Sequence, residues 1–245
     1  MISIIIPTLN EEEGIAKVLC SIPEKIRKKS EVIVVDVSDD MTPTIAKRLG
    51  AKVIRAGKKG KGRQMRLAAR EAKGDILVFL DGDGTDPPQY IPELLKELKS
   101  ANLVLGCRYL KDFEIDDKVM RRIFKIYGFF IIRLFRLINF KVSGDPLAGF
   151  RAIRKKDWER LNLQSDDFKI ETEMNVKAVK QGFVIKEVPI PHLRRCGGGL
   201  KGSKLLTNPR QILELYKLIL KYIREEQLIS RLKTLESKLK ARIKF

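Results

Sequence analysis

Two aspartates one residue apart follow an unbroken apolar run in the stretch DILVFLDGDGTDPP, residues 75–88. Gly82 lies between Asp81 and Asp83, and because glycine tolerates backbone angles that other residues resist, the two carboxylates can be directed toward one point. Hard divalent cations take oxygen ligands, and Mg²⁺ is commonly held by one or two protein carboxylates together with substrate phosphates. The pair therefore predicts a divalent metal site, against the alternative that both are solvated loop carboxylates.

Short β-branched runs alternate with helical patterns in the part of the chain that surrounds these aspartates. The expected strands are SIIIP, VIVVD, KVI, ILVFL at 76–80 and LVLG at 103–106, and helices are expected from about Glu11, Thr42 and Gly62 and across 91–100. Residues 76–80 are apolar on both faces, as a central parallel strand covered by helices must be. The rhythm predicts a doubly wound, Rossmann-like α/β fold with a mostly parallel sheet flanked by helices.

Polar residues follow the predicted strands at the positions where such folds bind ligands, outside the carboxyl ends of the strands. Pro7, Thr8, Asn10 and Glu11 follow the first strand, and Asp36 ends the second. Each of them alone is as well explained as a helix cap, a turn residue or a solvated side chain. Together with the aspartate pair they predict one ligand site along a single sheet edge.

Net charge limits the partners that this site can serve. The sequence has 50 Lys+Arg against 31 Asp+Glu, a formal net charge of +19, which favours a nucleotide, a phosphorylated lipid, a membrane surface or nucleic acid. No GxGxxG motif follows a predicted strand and no GxxxxGK[ST] motif is present, which argues against Rossmann dehydrogenases and P-loop NTPases. A basic nucleic-acid-binding protein is disfavoured because no recognition motif with interleaved aromatics is visible.

Cysteine usage and the first residues bear on the compartment. Cys20, Cys107 and Cys196 are scattered, so neither a disulfide framework nor a zinc pair is indicated, and we expect buried thiols in a reducing cytosol. The start MISIIIPTLN has no basic leader and is expected to be a first strand rather than a signal peptide. The sequence therefore predicts a cytoplasmic protein.

Four stretches of the sequence resemble family 2 glycosyltransferases of the GT-A fold: PTLNEEEG, VIVVDVSDD, KKGKGRQMRLAAREAKGDILVFLDGDG and DPLAGFRAI. The branch they resemble is that of the dolichol- and polyprenol-phosphate mannose or glucose synthases, over about residues 1–205. The resemblance implies transfer of a hexose, with inversion, from a nucleotide-diphosphate sugar to a polyprenyl or dolichyl monophosphate, with Mg²⁺ or Mn²⁺ as cofactor. A transferase of the same fold with a soluble or polysaccharide acceptor is the alternative.

The resemblance also implies roles for single residues. Asp81 and Asp83 match the motif that holds the metal against the donor diphosphate, and Thr85 stands where a third metal-side residue is common. The residues implied to bind the nucleotide sugar are Pro7, Leu9, Glu11, Asp36, Lys61, Asp81, Gly82 and Asp83. Leu9 replaces an aromatic residue and Val37 an acidic one of the family pattern, so the base and the sugar of the donor stay open.

The acceptor half is implied by a pattern near residue 200. In that branch R-x-x-G-x-S-K-L supplies cations to the phosphates, and Arg195 and Lys204 match it, with about four extra residues between them. They join Asp83 as the expected catalytic residues, and Arg108 and Arg122 are weaker candidates of the same kind. Because a phosphate acceptor is already ionised near neutral pH, its attack on the sugar needs little general-base help.

Other polar residues of this half have two interpretations each. Glu171 and Glu173 in FKIETEM match a carboxylate-bearing segment of the family, and either is equally well explained as an acid near a helix N-terminus. Asp145 in GDPLAGF is a candidate neighbour of the acceptor. His192, the single histidine, is expected to be structural.

Residues 118–139 form a basic amphipathic helical pattern within an expected catalytic domain 1–208. The pattern puts five basic residues on one face and an apolar face opposite, and no uncharged run approaches the length of a bilayer span. It predicts attachment to an anionic membrane surface on the cytoplasmic side, with a helix packed on its own sheet as the alternative. Residues 209–245 are expected to be a basic helical tail that binds membrane, packs or forms a homodimer.

Overall fold

The computed structural model describes residues 1–108, 145–191, 193–197, 213–214, 217–222 and 224. Within these ranges the strands are β1 Ile2–Thr8, β2 Ser30–Asp36, β3 Lys52–Arg55, β4 Ile76–Phe79, β5 Leu103–Arg108, β6 Arg151–Arg154 and β7 Ile185–Ile190. The helices are α1 Glu12–Cys20, α2 Glu24–Arg27, α3 Thr42–Arg48, α4 Lys61–Glu71, α5 Ile91–Glu97, α6 Lys155–Leu161 and α7 Lys169–Lys180.

The described strands form one sheet in the order β3-β2-β1-β4-β6-β5-β7. Strands β1 to β4 run parallel, β7 is parallel to β5, and β6 is antiparallel to both β4 and β5. This confirms the predicted mostly parallel sheet. The sequence did not predict β6 and β7, and β6 separates β4 from β5 although these two follow one another along the chain.

Helices cover both faces of the sheet because successive side chains of a strand point to opposite sides. On one face Ile5, Val35, Leu77 and Phe79 pack with residues of α4, α6 and α7. On the other face the alternate strand residues pack with α1, α3 and α5. The continuous apolar runs of β1, β2 and β4 are thereby explained, since a strand buried on both sides has no solvent-facing positions.

Three local expectations differ from the structure. Helix α4 begins at Lys61, so this lysine belongs to the helix rather than to the loop before it, and α5 ends at Glu97, three residues before the predicted end at 100. The prediction of buried cysteines is wrong for two of the three: Cys107 is buried, whereas Cys20 is exposed and Cys196 is half-buried. All three cysteines are free thiols.

The described part of the C-terminal region includes helical residues at 213–214 and 217–222. Ile219 is completely buried in the core beside α7, and Lys180 lies over the ring of Tyr222 at 4.5 Å. These contacts favour packing as one role of this region; the division of the chain at residue 209 stays a prediction. Among the described helices, none combines the length and the apolar character that crossing a bilayer requires.

Candidate active site

The carboxyl ends of β1, β2 and β3 are joined by a buried carboxylate. Asp36 is fully buried and accepts hydrogen bonds from Thr8 Oγ1 at 2.7 Å, from Ser38 Oγ at 2.6 Å and from Ser38 N at 3.0 Å. Arg55, its register partner on β3, completes the group with an ion pair. Both oxygens of Asp36 thus accept from the protein itself, and the implied contact with base or ribose stays a prediction.

The loop from β1 to α1 is shaped by Asn10, which has a left-handed backbone with φ of 56°. Its Oδ1 accepts from the backbone N–H of Asp39 at 3.0 Å, and the next backbone N–H, that of Glu11, donates to Thr42 Oγ1 at 2.9 Å. Short polar side chains such as asparagine tolerate this conformation. The loop places Glu11 beside the aspartates and leaves Leu9 exposed.

The first aspartate after β4 belongs to a group that we call the lysine cluster, formed by Asp81, Lys61 and Glu171. Lys61 Nζ lies 2.6 Å from Asp81 Oδ1 and 2.7 Å from Glu171 Oε1. Burial lowers the pKa of Lys61, but the two carboxylates outweigh it and raise that pKa above its usual range. Burial raises the pKa of Asp81, but the charge of Lys61 outweighs burial and lowers that pKa below its usual range. The ammonium is therefore charged and shared between two acids.

The second aspartate belongs to a group that we call the arginine bridge, formed by Asp83, Arg195 and Glu11. Arg195 donates from Nη1 to Asp83 Oδ2 at 2.5 Å and from Nη2 to both oxygens of Glu11 at 2.6 and 2.7 Å. The backbone N–H of Cys196 donates to the carbonyl of Asp83 at 2.9 Å. Burial raises the pKa of Glu11 to about 7 although Arg195 opposes that shift.

Short hydrogen bonds within the loop after β4 fix its two aspartates. Asp83 Oδ1 accepts from Thr85 N at 3.0 Å and from Thr85 Oγ1 at 2.6 Å. The backbone N–H of Asp81 donates to Asp86 Oδ2 at 2.9 Å. Burial and the charge of Asp81 raise the pKa of Asp86 to about 7. The implied metal role of Thr85 stays a prediction, and its hydroxyl serves Asp83 here.

Close packing, rather than unusual backbone angles, explains the glycine between the aspartates. Gly82 has no positive φ, and a methyl group there would lie 2.8 Å from Thr8 Cγ2. The left-handed residue of the loop is Gly84, with φ of 79°. A methyl group at Gly149 would lie 2.7 Å from Asp81 Oδ2, so the chain before β6 packs directly on the aspartate.

The two glutamates of α7 have different partners although they are two residues apart. Glu171 belongs to the lysine cluster, whereas Glu173 accepts from the backbone N–H groups of Gln164 and Ser165 at 3.0 and 2.7 Å and pairs with Lys177 at 2.7 Å. Both are buried. For both glutamates a site role and a helix N-terminal role were equally expected, and of the two only Glu171 contacts Lys61.

Arg108 and Asp145, both expected on the acceptor side, form an ion pair at 2.6 Å. The carboxylate also accepts from the backbone N–H of Leu147 at 3.2 Å, so it organises the turn before β6. Lys204, Arg122, His192 and the helical pattern 118–139 lie outside the described residues. Of the expected catalytic residues the structure thus brings Asp83 and Arg195 into contact.

Sequence reasoning missed two features of the site. Asp86 is buried against the backbone of Asp81, and the DGTDPP pattern gave the signal, because a third acid follows the pair at short spacing. Arg55 covers Asp36 from the neighbouring strand, and no local signal reveals it since the register of β2 and β3 decides the contact.

The residues of this edge fit a divalent cation with few protein ligands. Glu11, Asp81 and Asp83 lie near one another, with Lys61 and Arg195 as paired cations and Arg108 close enough to lower the pKa of Asp81. The raised pKa of Glu11 reflects burial plus the charges of the two aspartates. In the described ranges no three His, Cys, Asp or Glu side chains are grouped to hold a metal. A Mg²⁺ type of site needs only one or two carboxylates when phosphates supply further oxygens.

Comparison with solved structures matches the fold. The chain is similar to glucosyl-3-phosphoglycerate synthase of Mycobacterium tuberculosis, crystallised with Mn²⁺, UDP-glucose and phosphoglyceric acid, with a TM-score of 0.70, 21% identity and coverage of 91% of this chain and 79% of that one. It is also similar to mannosyl-3-phosphoglycerate synthase of Rubrobacter xylanophilus, with a TM-score of 0.69, 20% identity and coverage of 93% and 75%. These likenesses show that the chain has the GT-A fold.

Comparison of sequences extends the likeness beyond the fold. A dolichol-phosphate mannosyltransferase of Pyrococcus furiosus is 32% identical over 226 residues, which are 88% of this chain and 64% of that protein. A dolichyl-phosphate hexose transferase of Haloferax volcanii is 29% identical over 197 residues, covering 80% and 84%. The chain thus spans slightly less than two thirds of the Pyrococcus relative. The family model "Glycosyl transferase family 2" matches residues 3–161, more than half of the sequence, and the chain therefore belongs to that family.

Proposed function

We propose that this protein transfers a hexose from a nucleotide-diphosphate sugar to a polyprenyl or dolichyl phosphate at the cytoplasmic face of a membrane. The observation that carries the proposal is the pairing of Asp81 and Asp83 with two cations, Lys61 and Arg195, at the carboxyl edge of the sheet. A reaction between two phosphorylated substrates needs cations on both sides of the sugar. The relatives named for dolichyl-phosphate acceptors support the choice of acceptor.

The donor half of the mechanism rests on charge. Lys61, at the start of α4, offers an ammonium to the donor phosphates, and the first residues after β1 and β2 offer acceptors to ribose and base. Asp81 and Asp83 would hold Mg²⁺ or Mn²⁺, which when bound neutralises negative charge on the departing nucleoside diphosphate. Preorganised cations of this kind stabilise the transition state more than the ground state, because charge develops on the leaving oxygen.

The acceptor half rests on Arg195 and on the turn that Asp145 and Arg108 organise. A phosphomonoester is ionised near neutral pH, so its oxygen attacks the anomeric carbon without a residue to remove a proton. The protein's part is to hold two anionic substrates at attack distance, which contributes through positioning. Arg195 is suited to this because its guanidinium already spans two carboxylates and carries donors in a planar fork.

The reaction is tested by a screen of labelled sugar nucleotides with a short polyprenyl phosphate and either Mg²⁺ or Mn²⁺. We expect one sugar to move into the organic phase upon solvent extraction, and to stay in the aqueous phase when chelator is added. A parallel screen replaces the lipid by phosphoglycerate and by oligosaccharides. Transfer to a soluble acceptor alone would refute the lipid acceptor and favour the alternative.

Peripheral binding to an anionic membrane is part of the proposal, because a lipid acceptor must be collected at the membrane surface. The segment 118–139, outside the described residues, offers five basic residues on one face of its helical pattern and an apolar face opposite. Each cation near an anionic surface contributes about 1 kcal/mol, screened by salt. We expect sedimentation with phosphatidylserine vesicles that weakens but persists as salt rises.

Replacing Phe130 and Phe135 by serine should remove the part of this binding that persists at high salt. Val184→Ser, at an exposed position of the described chain, is the matched control and should bind like the wild type. Equal sedimentation of the double variant and the wild type at high salt would show that the helix belongs to the fold alone.

A further inference from the structure

Glu171 is buried at the first turn of α7, and its carboxylate reaches Lys61 rather than solvent. The side chains of Lys61 and Glu171 are 12% and 4% exposed, so the 2.7 Å pair lies largely out of water. The same ammonium is 2.6 Å from Asp81, which follows β4 and is expected to hold the metal. Lys61 is therefore shared between Asp81, the expected metal ligand, and Glu171 of α7.

The backbone of Glu171 is fixed from β6. Arg151, which is fully buried, donates from Nη1 to the carbonyl of Glu171 at 3.1 Å and to Asn175 Oδ1 at 2.7 Å. The same side chain donates to the carbonyls of Pro146 and Ala148 at 3.0 and 2.6 Å. A single arginine thus ties the start of α7 to the turn that packs on Asp81.

The backbone of Lys61 is fixed from the loop that precedes α7. A methyl group at Gly60 or Gly62 would collide with the carbonyls of Asp166 and Ser165, so the start of α4 packs directly on this loop. The backbone N–H of Arg63 donates to the Asp166 carbonyl at 3.0 Å. The distance between the two ends of the ion pair is consequently set by packed backbone on both sides.

We propose that Glu171 is a positioning residue. It holds the Lys61 ammonium beside the donor diphosphate and shares its positive charge, so that this charge is not spent on Asp81 only. The inference rests on the proposed function, since it assigns Asp81 to a divalent cation. When a cation takes Asp81, Lys61 retains a buried carboxylate partner at Glu171 and stays in place to face the phosphates. Without Glu171, the ammonium has Asp81 as its remaining acid and competes with the cation for it.

The test is the affinity of Mn²⁺, measured by electron paramagnetic resonance with GDP and with UDP, in Glu171→Gln and in the wild type. Loss of one negative charge and exclusive pairing of Lys61 with Asp81 both weaken cation binding, so we expect the dissociation constant to rise about tenfold. Glu173→Gln is the matched control, with equal burial on the same helix. It should melt at a lower temperature, because it loses the pair with Lys177, and should bind Mn²⁺ like the wild type.

Glu171→Asp is a second test variant, which keeps the negative charge but has a side chain one methylene group shorter. It should weaken Mn²⁺ binding less than Glu171→Gln does, and it remains informative if the glutamine variant fails to fold. Unchanged Mn²⁺ affinity in both Glu171 variants, or an equal loss in Glu173→Gln, would overturn the positioning role. Failure of the wild type to transfer any sugar would instead refute the proposed function. The two outcomes are distinguishable because Mn²⁺ affinity is measured without any transfer of sugar.

Discussion

The lysine cluster and the arginine bridge neutralise neighbouring aspartates of one loop, but their cations come from different parts of the fold. Lys61 begins α4 against the core, and its two acids come from the end of β4 and from α7. Arg195 belongs to a short described segment, 193–197, that has no regular secondary structure. Lys61 therefore belongs to a helix of the core, whereas Arg195 belongs to an irregular segment that packs against the site.

The difference teaches which contacts are easily exchanged for substrate contacts. Moving Lys61 requires breaking pairs to two carboxylates within packed helices. Moving Arg195 requires breaking its pairs with Asp83 and Glu11 and the hydrogen bond from Cys196 N to the Asp83 carbonyl. We therefore expect the lysine cluster to govern stability as well as activity, and the arginine bridge to govern activity.

The largest effect is expected where both groups meet, in the loop after β4. Asp83→Ala should lower transfer by at least about a thousandfold, because electrostatic stabilisation of the leaving group is the main catalytic contribution. Its melting temperature should stay near that of the wild type. Glu159→Ala, at an exposed position on α6, is the control. Metal-dependent transfer at the wild-type rate by the Asp83 variant would remove the loop from the mechanism.

The comparison itself is tested by removing each cation. Lys61→Met leaves Glu171 and Asp81 without their ammonium, and loss of one partner of a buried pair costs about 3–5 kcal/mol. Arg195→Ala leaves Glu11 and Asp83 only 16% and 13% exposed, but Glu11 can relieve the unpaired charge by binding a proton, because burial raises its pKa to about 7. The free energy of unfolding should therefore fall less than in Lys61→Met, while turnover drops. Denaturant titration of both variants checks the order. Equal destabilisation by both would show that the segment 193–197 is as much a part of the framework as α4.

How far these groups were predictable depends on the distance along the chain between their members. Asp81 and Asp83 follow a β-branched run and could be placed at a strand end from local pattern alone. The contact between Arg195 and Asp83 joins residues 112 positions apart, and only resemblance to a family suggested that Arg195 lies near phosphate. Lys61 pairs with Glu171 rather than Glu173 because of how α7 is rotated in its packing, and helix periodicity does not determine that rotation.

The fold shows the same limit. Strands β1, β2 and β4 are apolar runs bounded by turn residues, and the alternation of strand and helix patterns indicates KVIR as β3, so the parallel half of the sheet follows from sequence. β6 and β7, with sequences RAIR and IKEVPI, are short and carry charged residues at their ends or interior. Their partners, not their own composition, make them strands. The antiparallel direction of β6 also had no signal, since it depends on the path of the chain before it.

A milder perturbation tests the packing of the lysine cluster without changing any charge. Gly149→Ala pushes a methyl group to 2.7 Å from Asp81 Oδ2 and 3.0 Å from its carboxyl carbon, so the carboxylate must shift. We expect transfer to fall about tenfold, since displacement of a reacting group by a fraction of an ångström has large effects. Gly57→Ala is the control, because a methyl group there meets no atom within 4 Å and the position has no positive φ. A loss at Gly149 no larger than at Gly57 would show that packing on Asp81 does not limit transfer.

The smallest effect is a pH dependence of stability that should have opposite signs in the two groups. Glu11 keeps its proton up to a pKa of about 7 when folded, so its contribution to the free energy of unfolding is present at acid pH and is lost as pH rises from about 4.5 to 7. Asp81, with its lowered pKa, contributes above about pH 4 and loses that contribution in acid.

Glu11→Gln isolates the first contribution. The stability of this variant relative to the wild type should increase between pH 5 and 7 and level off above pH 7, by about 1 kcal/mol for each unit of pKa shift that survives solvent screening. Chemical denaturation at several pH values measures it. A flat difference across this range would mean that Arg195 compensates the burial of Glu11 completely.

The insertion of β6 between β4 and β5 sets the order in which the chain can complete its structure during synthesis. When a nascent chain has emerged only as far as Arg108, β4 has an open edge and β5 has neither of its described neighbours. Unpaired edges of this kind invite association with other chains. Gly149 and Arg151 arrive with β6, so the packing of this turn on Asp81 forms only after β6 has left the ribosome, and the contacts of Glu171 and Arg195 form later still.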